Sequence, residues 1–69
     1  MTPRMIRQVW TLIDETQPST LLMLDDNGLV TWLIDEIGTA QSLNRHEART
    51  YSDYIRTRLP LIRDVAAAR

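Results

Sequence analysis

Apolar residues return every three or four positions along most of the chain, a rhythm that predicts helices. Met5, Ile6, Val9, Trp10, Leu12 and Ile13 fall on one side of a helical wheel, and Arg4, Arg7, Gln8, Thr11, Asp14 and Glu15 on the other. That separation predicts an amphipathic helix over residues 3–16. Thr2-Pro3 opens it with a capping hydroxyl and a proline at the first helical position. Gln17-Pro18 closes it, because proline disfavours helical geometry in the residue before it.

The stretch LLMLDDNGLVTWLIDE, residues 21–36, is less plain. Asp-Asn-Gly between apolar runs resembles a hairpin turn. As a strand, however, 29–37 has no polar face, whereas as a helix it gathers Leu29, Val30, Leu33, Ile34 and Ile37 on one stripe. The helix is the better reading, with Asp25 or Asp26 as its N-cap and Gly38 just past its end. STLLML before it has room for a turn or a brief helix. Further on, Asn44 and Glu47 have capping-box spacing, with Leu43 and Ala48 at the staple positions. A helix follows to about Leu59 on the seam Ala48, Tyr51, Ile55, Leu59. Pro60 either starts a short fourth helix, to about Ala67, or kinks the third. The expected fold is therefore all-α, a compact bundle of three to four short helices in one domain spanning 1–69.

Composition changes that picture mainly by exclusion. The chain has 69 residues and no cysteine, which excludes disulfides and thiolate metal sites. No apolar run is long enough to span a membrane, and the N-terminus lacks the pattern of a secretory signal. A soluble cytoplasmic protein is expected. The net charge of −1 is unevenly spread: residues 1–38 hold two arginines and six acids, residues 39–69 six arginines and three acids.

Candidate chemistry is thin. His46 is the only histidine and falls on the polar side of its helix, so neither zinc binding nor histidine catalysis is expected. DDNG fails as a calcium loop, because placing Gly28 at the sixth position puts Met23 and Ile34 at the first and twelfth. The acid pairs Asp14-Glu15, Asp25-Asp26 and Asp35-Glu36 diverge on a helix and suit helix ends. Two glycines do not make a phosphate loop. No enzyme, no cofactor and no metal is expected.

Arg45, Arg49 and Arg56 share a narrow sector of the last long helix, and Arg63 extends the line if Pro60 only kinks it. Such a stripe could meet phosphates; pairing with the acidic first half, within the chain or across a dimer, is the better reading, because the chain is not basic as a whole. WLIDEIGTAQSLNRHEARTYSDYI has a helix-turn-helix flavour, but its connection is longer than that motif's usual turn. Trp32 and Tyr54 are candidate partner anchors, Trp32 equally a core residue, while Trp10 fits the core better. The segments YIRTRLPLIRD, ETQPSTLLMLDD and LVTWLI resemble a group of short, functionally uncharacterised cyanobacterial proteins. That resemblance covers most of the chain and implies a soluble cytoplasmic protein serving a larger assembly; it assigns no site residue. The expected function is a non-enzymatic protein–protein interaction or adaptor domain, with a second copy of itself among the candidate partners. The alternative is a nucleic-acid-binding regulator using Arg45, Arg49 and Arg56.

Overall fold

The computed structural model describes residues 1–69 as four helices and no strand: α1 (Pro3–Glu15), α2 (Pro18–Met23), α3 (Asp26–Ala40) and α4 (Arg45–Ala67). The hairpin reading of residues 21–36 is thereby excluded. Each long helix starts where its capping residue stands. Thr2 Oγ1 accepts from the Met5 amide at 3.2 Å, and Asp25 Oδ1 from the Gly28 amide at 2.7 Å. Asn44 Oδ1 accepts from the Glu47 amide at 2.7 Å while Glu47 Oε1 accepts from the Asn44 amide at 3.2 Å, completing the capping box.

The fourth helix is not the one the prolines suggested. It is the brief α2, opened by Pro18; the segment after Pro60 is no separate helix, because α4 runs unbroken through Pro60. Pro60 forgoes the amide hydrogen bond back to the carbonyl of residue 56, at a cost of about 3 kcal/mol in a helix interior. Continuity is favoured by the seam: Tyr51, Ile55, Leu59, Ile62 and Ala66 are all buried and keep one helical phase. Burying Ile62 alone is worth about 1.5–3 kcal/mol, so the seam offsets the proline.

Gly38 does not end α3. The helix continues to Ala40, and no residue adopts a positive φ. Gln41 is the C-cap instead; its amide bonds the Ile37 carbonyl and its side chain turns to Gln8 and Tyr51.

The core comprises Val9, Ile13, Leu21, Leu29, Val30, Leu33, Ile37 and the α4 seam. α4 packs against all three other helices, and α1 also packs against α3. The radius of gyration, 11.2 Å, matches the ~11 Å of a compact chain of this length. No helix is long and apolar enough to cross a membrane.

Two arginines of α4's C-terminal end tie down the short elements. Arg63 donates to the Leu21 carbonyl (3.2 Å), the Leu24 carbonyl (2.9 Å) and Asp26 Oδ1 (2.9 Å), so it closes α2 and holds the first turn of α3. Arg69 donates to the carbonyls of Ile13 (3.0 Å), Asp14 (2.8 Å) and Thr16 (3.4 Å) at the end of α1. Both guanidinium groups sit at the negative end of a helix, where unpaired carbonyls collect.

Candidate functional site

Along α1, Arg4, Arg7, Gln8, Thr11, Leu12 and Glu15 repeat at helical spacing on one side. Together with Glu36, Ile37 and Ala40 of α3 they line an open groove of ≈ 410 Å³. A second open depression, ≈ 450 Å³, lies along α1 and is lined by Arg7, Trp10, Thr11, Asp14 and Glu15. Arg7, Thr11 and Glu15 line both, so this exposed row at i, i+4, i+8 is a ridge between two hollows.

The groove rests on a polar network. The Tyr51 hydroxyl donates to Gln8 Oε1, Gln8 Nε2 donates to Gln41 Oε1 at 3.1 Å, and Gln41 Nε2 approaches the Tyr51 oxygen at 3.4 Å. The Tyr51 side chain is fully buried, and no buried side-chain polar atom lacks a partner. Burial pushes the Tyr51 phenol above its ordinary pKa and the Glu47 charge adds to this; the Gln41 hydrogen bond and the Arg4 charge oppose it.

The charges of the groove are unpaired, as are nearly all in the chain. The sole ion pair is Arg63–Asp26, so Arg4, Arg7, Glu15 and Glu36 have no ionic partner. Their order along α1 is also reversed: arginines occupy the first turns and acids the last, against the preference of the helix dipole. Each such placement costs about 0.3–1 kcal/mol at an exposed site. The groove thus offers two free cations and two free anions to an oppositely charged segment.

The residues singled out from sequence do not line it. Trp32 is half-buried and packs against the core. Tyr54, the other candidate anchor, is also half-buried; its oxygen accepts from Trp10 Nε1 at 2.8 Å, and the Arg58 guanidinium lies 5.3 Å from its ring centre. Arg45, Arg49 and Arg56 are exposed on α4, and the unbroken helix puts Arg63 on their line. Arg56 donates to Asn27 Oδ1 at 3.0 Å and Arg63 is held at α2, so only Arg45 and Arg49 make no hydrogen bond or ion pair. The His46 side chain is exposed and makes no hydrogen bond, and no three His, Asp or Glu residues cluster as metal ligands.

Exposed apolar side chains lie elsewhere: Leu22 and Met23 on α2, and Leu61 on α4. Sequence reading missed the groove because α1's charged side is also what an ordinary solvated face looks like. The only available signal was the reversed order of its charges.

By fold and site the chain is a small all-α domain with a charged groove between its first and third helices. No protein-family model, no curated protein and no solved structure matches it.

Proposed function

We propose that the domain is a non-enzymatic protein–protein interaction or adaptor module that docks partners along the α1–α3 groove. One observation carries the reading: four charged side chains line an open groove without any ionic partner inside the chain, while the only ion pair forms elsewhere. Charges placed against a helix dipole weaken the isolated domain, and a partner of complementary charge order relieves that cost. Trp32 and Tyr54 serve the packing that holds α3 and α4 rigid beneath this surface.

The alternative, a nucleic-acid-binding regulator using Arg45, Arg49 and Arg56, is supported by the exposure of all three on one helix. It is weakened by the bond between Arg56 and Asn27 and by the capture of Arg63 at α2. One experiment separates the two. The tagged chain is used as bait in its native lysate, with and without nuclease, beside Arg4→Glu/Arg7→Glu and Arg45→Ala/Arg49→Ala forms. Protein capture that resists nuclease and is lost with Arg4→Glu/Arg7→Glu supports the adaptor. Loss with nuclease and with Arg45→Ala/Arg49→Ala overturns it in favour of the regulator.

A further inference from the structure

We infer that the partner seated on α1 is a second copy of this chain, crossing antiparallel with the two-fold axis at Thr11. The inference rests on the interaction reading above and names the occupant of the same surface.

Three features lead to a second copy. First, the Arg7–Thr11–Glu15 row is exposed along its length with an open hollow on either side, so nothing within the chain covers it. Second, the row is self-complementary. Arg7 and Glu15 lie four residues either side of Thr11, about 6 Å each way along the axis. Turning a second α1 through a half-rotation about Thr11 therefore sets each Arg7 against the other copy's Glu15. A two-fold interface demands this reciprocity, residue i meeting j while j meets i. A parallel arrangement would instead set arginine against arginine. Third, the side chain at the axis is small, so two backbones can approach there. Arg4, one turn before Arg7, adds a second cation at the same end of the row.

The antiparallel crossing also relieves the reversed dipole. The N-terminal arginines of one α1 come to the C-terminal acids of the other, so each helix end gains the counter-charge it lacks. The contact is small. α1 is about 20 Å long, and a standard interface needs roughly 800 Å² per partner from a chain exposing 4628 Å² in all. A reversible dimer in the micromolar range or weaker is expected, and one sensitive to salt because its charges lie at a surface.

Sedimentation equilibrium of the purified chain, at about 0.01–1 mM and at low and high salt, tests this. The variants are Arg7→Glu and Glu15→Arg, whose sites are exposed and whose changes suit the helix dipole, so both fold; circular dichroism checks that they do. The wild type should dimerise, and more weakly at high salt. Each variant alone should dimerise at least about tenfold less tightly, since one change alters two symmetric contacts. Mixed in equal amounts, the two should recover association, because every ridge contact then joins opposite charges. A wild type that stays monomeric throughout overturns the self-pairing while leaving the adaptor reading to its own lysate experiment. Dimerisation that survives each substitution made singly, or that yields instead to Met23→Glu or Leu61→Glu on the exposed apolar side chains, places the contact elsewhere and overturns it too.

Discussion

Gly38 lies in the exposed body of α3, and a Cβ built on it meets no atom within 4 Å. Its backbone is helical, so the glycine only adds freedom to the unfolded chain. Gly38→Ala is expected to stabilise the domain by about 1 kcal/mol, raising Tm by about 4–8 °C in a thermal melt. Gly28 makes the contrast, since a Cβ there would come within 2.7 Å of the capping Asp25 Oδ1. The same exchange at Gly28 should leave Tm nearly unchanged, a propensity gain of about 1 kcal/mol being offset by a lost cap of similar size. Gly38 looked like a helix stop because glycine after a periodic run commonly takes a left-handed C-cap. The end falls at Gln41 instead, where the side chain bonds Gln8, 33 residues away. Tyr51 belongs to the same network and gives it a pH signature. Its phenol keeps its proton to higher pH in the folded chain than in the unfolded one, so its contribution is whole below about pH 10, the unfolded value, and falls as pH rises from there through the higher folded-state pKa. Urea midpoints measured at neutral and alkaline pH should show the decline. Tyr51→Phe should flatten it, at a neutral-pH cost of about 1–2 kcal/mol for amides left without their partner.

At the level of elements, whatever depends on near neighbours is plain in the sequence. The Asn44–Glu47 box, the Asp25 cap and the Thr2-Pro3 start join residues three apart, and the apolar stripes of α1, α3 and α4 are periodic. The end of α1 is plain as well, from Gln17-Pro18; what is not plain is how the last carbonyls of α1 and α2 are satisfied, because Arg69 and Arg63 reach them from 56 and 42 residues away. The sequence set Arg63, as an extension of the α4 stripe, against the acids of the first half, yet two of its three bonds go to backbone oxygens, as do all three of Arg69's. Two variants tell those roles apart. Arg63→Ala removes charge-assisted bonds to partly buried carbonyls and should cost about 1–3 kcal/mol in urea unfolding. Asp26→Asn removes only an exposed ion pair and should cost less than about 1 kcal/mol. Equal losses would mean that the ion pair, not the carbonyl bonds, holds α2. The groove stayed illegible for a related reason. Arg4, Arg7, Thr11 and Glu15 read as a solvated face until α3 brings Glu36, Ile37 and Ala40 alongside.

For the molecule as a whole, α4 is the one element that packs substantially against every other helix. Past Pro60 it contributes buried Ile62 and Ala66 and the guanidinium group of Arg63, and it carries Arg69 just beyond its end; the two arginines reach α1, α2 and the start of α3. A chain of this size has only about 3–10 kcal/mol of stability in total. Losing Ile62 alone removes about 1.5–3 kcal/mol, and the carbonyl bonds of the two arginines go with it. α2 is hit hardest, because six residues do not hold a helix in water without a partner, and its main contacts are with α4. Truncation after Leu59 should therefore unfold the entire domain, not merely shorten α4 by about two turns. The far-UV spectrum should become that of a disordered chain, and emission from Trp10 and Trp32, on α1 and α3, should shift to that of exposed indole. In the full-length chain, urea curves followed by tryptophan emission and by ellipticity should coincide, as one cooperative unit requires. A truncated chain that still melted cooperatively would show that α1, α3 and the first half of α4 form a self-sufficient core. The arginines at the far end of α4 would then only secure α2 to a body already folded.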